Sequence, residues 1–299
     1  MDIILNLSEV MSAEAVSYFE MWLDNNFFLL AMLVFIVELM RYAFMRKISW
    51  KMLGDSVTSF ITLGFMIVMV FVFGLAYLSV FLEAYENWSV TQLPITGWTL
   101  IGCLILADLV YYWEHRFLHS NGFAWGTHSV HHSSPFFNIS VAYRFGPLDW
   151  LFPLFFHLPL VLLGFHPFVV LLCESVVQIF QTLLHTEAVK RFPRPIEAVF
   201  NTPSHHRVHH ATNKRYLDKN YAGILIIWDR MFGTFAREEE RVRYGIYPTI
   251  NSVNPVKVLF NGYAKICVDI WHAPSWSMKA KLLVKSPLWA WKQAQKRVD

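Results

Sequence analysis

A chain of 299 residues that is 55% hydrophobic and 17% aromatic but only 16% charged falls well short of the roughly 25% charged residues of soluble domains. That composition places it in a membrane, and a net charge of +3 is too small to mark a nucleic-acid binder. Three cysteines, Cys103, Cys173 and Cys267, form no motif, and their odd number argues against a disulfide framework.

Residues 1–26 carry Asp2, Glu9, Glu14, Glu20 and Asp24 and no Lys or Arg. They are expected to form a short amphipathic helix at a membrane surface, and they lack the positive n-region and cleavage site of a signal peptide. Residues 27–45 form a first apolar run, close to the roughly 20 residues of a membrane span. Glu38 and Arg41, near its far end, are expected to reach the interface or pair there. Arg46, Lys47 and Lys51 follow, and a second run over 57–82 is almost purely apolar. The connection 83–96 holds Glu83 and Glu86 but no basic residue, and a third run, 97–113, leads into His115. The positive-inside rule then puts the N-terminus and 83–96 outside, and the 46–56 loop and the histidine stretch in the cytoplasm.

Residues 108–132, DLVYYWEHRFLHSNGFAWGTHSVHH, contain five histidines. His115 and His119 are spaced H-x-x-x-H, and His128, His131 and His132 are spaced H-x-x-H-H. Residues three and four apart share a helix face, so each group is expected to aim its imidazoles at one place. Two short apolar runs, 148–163 and 167–185, then form either two tilted spans or a re-entrant hairpin that returns the chain to the cytoplasmic side at His185. His157 and His166 have no spaced partner and read as structural. From 186 onward the chain turns basic, and Pro193, Pro195 and Pro203 break helices before SHHRVHH, where His206, His209 and His210 repeat the H-x-x-H-H spacing. The apolar stretch 220–235 is expected to pack as a helix or turn under the site, and the tail from 276, rich in Trp and Lys, as an interfacial helix.

The fold expected is an all-α integral membrane protein with about four or five transmembrane helices and a cytoplasmic helical cap holding a histidine-rich di-metal site. Its parts are an N-terminal amphipathic helix with two spans (1–96), a catalytic region (97–236) and a cytoplasmic C-terminal region (237–299).

Eight histidines in three groups are too many for one tetrahedral ion and suit two metals. His185, at the end of an apolar helix on the same side, is the natural ninth ligand. Adjacent histidines lie about 100° apart around a helix, which lets one helix serve two ions. Asp108, two turns before His115, and His205, off the face of the second H-x-x-H-H, are expected to orient ligands from behind them. Glu114 and Glu187 are weaker candidates. A metal site at the mouth of a membrane helix bundle implies a substrate dissolved in the bilayer. Breaking an unactivated C–H bond needs activated oxygen, which iron supplies; hydrolysis at a zinc pair and a metal-binding transporter or sensor are the competing readings. The apolar runs offer few polar residues for a pore. A G-x-S-x-G elbow, a P-loop and a dinucleotide-binding glycine turn are missing from the sequence, so serine-hydrolase, NTPase and nicotinamide-dependent readings have no support.

The three groups, H-x-x-x-H at His115/His119, H-x-x-H-H at His128/His131/His132 and H-x-x-H-H at His206/His209/His210, resemble the membrane fatty acid hydroxylase/sterol desaturase superfamily over about 97–236. NTPSHHRVHH (201–210) and DKNYAGILIIWDRMFGTF (218–235) are most similar to the branch that hydroxylates the ether-linked carbon of alkylglycerol-type lipids with iron, O₂ and tetrahydrobiopterin. The resemblance implies that these histidines and His185 hold two ferrous ions. It also implies that electrons come from a reduced pterin or a donor protein, and that a bilayer lipid is hydroxylated or desaturated. Fatty acyl and sterol substrates are the alternatives within the superfamily. This chain has Ser120 where that branch has Glu after H-x-x-x-H. It has Gln181 where several relatives begin another H-x-x-x-H, so of that motif only His185 carries over.

Overall fold

The computed structural model describes residues 7–295, which are helices and loops with two isolated backbone bridges, Phe200 with Leu225 and Ala211 with Tyr244. The first helix, α1 (Ala13–Phe44), runs unbroken for 32 residues from its Ser12 cap, whose hydroxyl accepts from Ala15 N. The sequence led us to expect a surface helix over 1–26 followed by a separate span. Residues 1–6 lie outside the described residues, 7–12 are turn and loop, and 13–26 are continuous with the span. No Pro or Gly interrupts it, and two of its acids have a polar partner on α7: Ser175 Oγ donates to Glu20 Oε1 at 3.4 Å and to Asp24 Oδ2 at 3.3 Å.

Helix α2 (Trp50–Asn87) is longer than its apolar run because a polar first third, Asp55, Ser56, Thr58, Ser59 and Thr62, is buried inside the protein rather than left in a loop. Its remaining surface is apolar and largely exposed, as a lipid-facing helix requires. Helix α3 (Gly97–Ser120) opens on a Thr96–Thr99 capping box and ends at Asn121, whose side chain caps α4 (Gly122–His132). A single turn, α5 (Ile139–Ala142), precedes α6 (Phe152–Leu162) and α7 (Pro167–Leu184), which are joined through Gly164 at φ 106°. A side chain at Gly164 would also meet Thr91 O at 2.4 Å.

Three helices, α1, α2 and α7, are long and apolar enough to cross a membrane by length and composition. Helix α3 has the length, but from its midpoint on it carries Asp108, Glu114, Arg116 and two histidines. Helix α6 has 11 residues, about 17 Å, and cannot cross alone. The pair expected over 148–185 is therefore one short helix folded against one full-length helix. The main apolar core, including Phe81, Cys103, Ala107, Leu160, Val170 and Cys173, lies where α2, α3, α6 and α7 meet.

Beyond α7 come three short helices, α8 (Arg194–Val199), α9 (Pro203–His209) and α10 (Ile227–Met231), the last being the helical part of the expected 220–235 element, whose remainder is loop and turn. Three further helices follow, α11 (Pro255–Trp271), α12 (Trp276–Val284) and α13 (Pro287–Gln295). The tail is thus two short helices rather than one, broken between Lys285 and Pro287. Helix α11, which the sequence did not single out, packs on α4. The two backbones touch at glycines: a Cβ on Gly262 would lie 2.1 Å from Gly126 O.

Candidate metal centre

Four chain segments deliver the histidines. The last turns of α3 carry His115 and His119, and Asn121 turns the chain at once into α4 with His128, His131 and His132. Helix α9 begins at Pro203, with Thr202 at its cap position, and brings His206, His209 and His210 opposite α4, while His185 ends α7. Nine ligand atoms gather into two groups, each with its atoms within 4.8 Å of one another. One group is His115, His119, His128, His132 and His209; the other is His131, His185, His206 and His210. Each H-x-x-H-H triplet is therefore split rather than aimed at one place. Positions i and i+4 serve one group and i+3 the other, because a rotation of about 100° per residue separates adjacent rings.

The rings are oriented from behind. His115 Nδ1 pairs with Tyr221 O at 2.9 Å, His185 Nδ1 with Gln181 O at 2.9 Å and His209 Nδ1 with Lys219 O at 3.1 Å. A carbonyl only accepts, so Nδ1 carries the proton and Nε2 is a bare lone pair. Those Nε2 atoms face other Nε2 atoms: His115 to His128 at 3.1 Å, His185 to His131 at 3.2 Å and to His206 at 3.0 Å, and His209 to His132 at 3.0 Å. Two nitrogens bound to one metal at 2.0–2.1 Å and an angle of 90–110° sit about 2.9–3.4 Å apart. The buried Nε2 atoms of His119 and His210 have no hydrogen-bond partner at all. Imidazole nitrogens converging at this separation, with two more left without a partner, fit cations between them. Burial, and then the neighbouring rings, hold His128, His132, His206, His209 and His210 well below the ordinary histidine pKa, which keeps them in the neutral form that a metal ligand requires.

The surroundings fix the ligands. Asp108, buried on α3, touches no histidine; it accepts from Ile224 N at 2.5 Å, Leu225 N at 2.9 Å and Trp228 Nε1 at 2.9 Å. Asp229 accepts from Tyr221 N and Ala222 N, both at 2.8 Å, so two carboxylates hold the loop whose Tyr221 carbonyl anchors His115. Gln181 Nε2 donates to Ala222 O at 2.8 Å, tying α7 to the same loop. His205 lies outside both groups, edge-on to Phe235. Glu187 accepts from Tyr42 and Tyr244 hydroxyls, and Glu114 is buried 3.8 Å from His157 Nδ1. His166 caps α7 through Phe168 N.

Several positioning residues gave little sign of themselves in the sequence. Arg144, 1% exposed, donates from Nε to Val130 O and Ser133 Oγ at the end of α4, and its Nη1 pairs with Asp55 of α2 at 3.2 Å. Glu38 is not an interface residue paired with Arg41. It is buried, accepting from Ile139 N at 2.9 Å and from the Thr186 hydroxyl, and so joins α1 to the start of α5 and the end of α7. The one available signal was a charge inside an apolar helix, which needs a buried partner.

The fatty acid hydroxylase family model matches residues 100–234. The chain is 38% identical over 213 residues to alkylglycerol monooxygenase of Homo sapiens and 40% identical over 213 residues to that of Danio rerio; each match covers 71% of this chain and 47% of the relative. It is 34% identical over 155 residues to the ornithine lipid hydroxylase OlsE of Rhizobium tropici, covering 52% of this chain and 46% of the relative. The chain spans about half the length of the curated relatives it matches. No solved structure matches it significantly.

Proposed function

We propose that this protein, whose residues 100–234 match the fatty acid hydroxylase family model, is a membrane-bound non-haem di-iron oxygenase that hydroxylates a C–H bond of a bilayer lipid. The observation that carries this reading is the pair of imidazole groups in which the bare Nε2 atoms of His115, His185 and His209 each face neighbouring Nε2 atoms at 3.0–3.2 Å. His115, His119, His128, His132 and His209 would hold one ion, and His131, His185, His206 and His210 the other. Iron bound there supplies, with O₂ and external electrons, the oxidising power that an unactivated C–H bond requires.

The chain's own residues do the rest. The Tyr221, Gln181 and Lys219 carbonyls keep Nδ1 protonated and Nε2 free. Burial of the rings keeps bulk water from competing at the centre. The nine ligands are neutral, so the site keeps the full charge of its cations, with Asp218 as a nearby carboxylate, 3.9 Å from His119 Nδ1. The polar first third of α2 lies beside Arg46, Lys47 and Lys51, and by the positive-inside rule this supports a reading with the centre and the C-terminal region on the cytoplasmic side and the N-terminus outside.

The names of the more similar relatives favour an alkylglycerol-type ether lipid as substrate. Hydroxylation of its ether-linked carbon gives a hemiacetal that falls apart to an aldehyde and a glycerol. A reduced pterin or a donor protein would supply the electrons. Fatty acyl or sterol hydroxylation, or desaturation, is the alternative chemistry at the same centre.

The test is anaerobic purification followed by metal analysis and turnover of alkylglycerol in nanodiscs under labelled O₂. We expect about two irons per chain, as the two ligand groups require, and label in the product, with both activity and iron falling in His131→Ala or His209→Ala. Lipid turnover that persists without oxygen, or full activity in either variant, would overturn the proposal.

A further inference from the structure

A second polar feature lies on the far side of α9, outside both histidine groups. A cleft of about 500 Å³ is lined by Arg191, Arg194, Arg230 and Arg237, with Glu197 and His205 on its wall. Four guanidiniums thus face one carboxylate, and that carboxylate is already engaged: Glu197 Oε1 accepts from Ser204 Oγ at 2.8 Å and from Phe192 N at 3.2 Å. Other arginines of the cap have acidic partners, Arg207 with Glu238 and Arg215 with Glu239. Among the described residues, the four that line the cleft form no ion pair. Arg230 is held in place, its Nη2 donating to Glu197 O at 3.1 Å and its guanidinium lying 3.8 Å over the Phe235 ring. His205 is 1% exposed, and its Nδ1 has no hydrogen-bond partner. Four guanidiniums without an acidic partner, gathered around one cleft, describe a phosphate-binding site.

The rim identifies the source of the phosphate. Val189, Phe192, Ile196, Val199 and Phe200 are exposed on the same segment that carries Arg191 and Arg194. That segment begins a few residues after Leu184, where α7, a candidate membrane span, ends. Apolar side chains beside arginines at the end of a span match the headgroup layer, where the former enter the acyl boundary and the latter meet phosphate. We propose that this cleft binds the headgroup phosphate of an anionic phospholipid, which seats the α8–α9 segment on the bilayer.

The test uses the full chain in neutral detergent and native mass spectrometry with phosphatidylglycerol or phosphatidylcholine. One phosphatidylglycerol should bind at least roughly tenfold more tightly than phosphatidylcholine, and Arg194→Gln/Arg237→Gln should weaken it by roughly tenfold or more for each guanidinium removed. The unfolding midpoint in phosphatidylcholine alone should stay unchanged in that variant, which separates weaker binding from impaired folding. Equal affinity for the two lipids would overturn the proposal. So would an equal loss in a Lys279→Gln/Lys285→Gln control, which would make the effect one of net charge. Complete displacement of the lipid by millimolar inorganic phosphate would also overturn it, by assigning the cleft to a soluble anion.

Discussion

Asp108→Asn tests whether the centre depends on a loop held from behind. Asp108 takes three hydrogen bonds, from Ile224 N, Leu225 N and Trp228 Nε1, at 2.5, 2.9 and 2.9 Å, and is 1% exposed. Ile224 N lies on one carboxylate oxygen and the other two donors on the second, so an amide sets its NH₂ against at least one buried N–H. Leaving one such donor unsatisfied costs about 1–3 kcal/mol, and turning the remaining charge-assisted bonds into neutral ones costs roughly another 1–2 kcal/mol. The loop so loosened carries Tyr221, whose carbonyl fixes the His115 tautomer, whereas His185 of the second group is fixed by Gln181 O within α7. The variant should therefore lose about 2–5 kcal/mol of stability and shed metal first from the five-histidine group. Iron per chain by mass spectrometry should drop towards half, with a lower unfolding midpoint in nanodiscs. Wild-type iron content together with a wild-type midpoint would refute the argument that this carboxylate organises the site.

Three further outcomes follow from the same packing. Burial holds the α4 and α9 histidines below their ordinary pKa, so the unfolded chain binds protons that the folded one refuses. The stability they contribute is complete above about pH 6.5 and declines as pH falls below it, by about 1.4 kcal/mol per pH unit for each ring until that ring protonates in the fold; denaturation of the metal-free protein should be flat above neutrality and fall steeply towards pH 5. Gly262→Ala would gain about 1 kcal/mol of helix propensity, yet its Cβ would sit 2.1 Å from Gly126 O, so net destabilisation of about 1–3 kcal/mol is expected with reduced metal binding, measurable by thermal melts and metal analysis. Arg144→Met strands Asp55 and should cost about 3–5 kcal/mol, while Arg144→Met/Asp55→Leu should recover much of that in the same denaturation assay.

The histidine spacing was readable because it is local: helix geometry alone says which rings share a face. The partner of each face is tertiary and was not readable. Thus α1 absorbs its acids by laying Glu20 and Asp24 against Ser175 of α7, and Glu38 finds Ile139 and Thr186 about a hundred or more residues away along the chain. The expectation of separate surface and spanning helices, and of an interface ion pair, assumed those charges had only neighbours in sequence. Likewise nothing in the amphipathic pattern of 255–271 announced that Gly262 would meet Gly126.

The same geometry explains why a lone histidine belongs to the set. Helix α4 gives His128 and His132 to one group and His131 to the other, while the α9 triplet gives His209 to the first and His206 and His210 to the second. The two triplets are therefore reciprocal, and together they supply three rings to each group. The H-x-x-x-H pair of α3 raises the first group to five. The second would stay at three, one short of the four ligands of a closed site, unless another helix ended nearby. Helix α7 ends there, and Gln181 O sets the His185 ring so that its Nε2 meets both His131 and His206. A histidine without a spaced partner in sequence is thus the residue whose removal should empty one group and leave the other filled. His185→Ala should retain about half the metal and lose lipid turnover, and retention of both metals would show that the second group is complete without it.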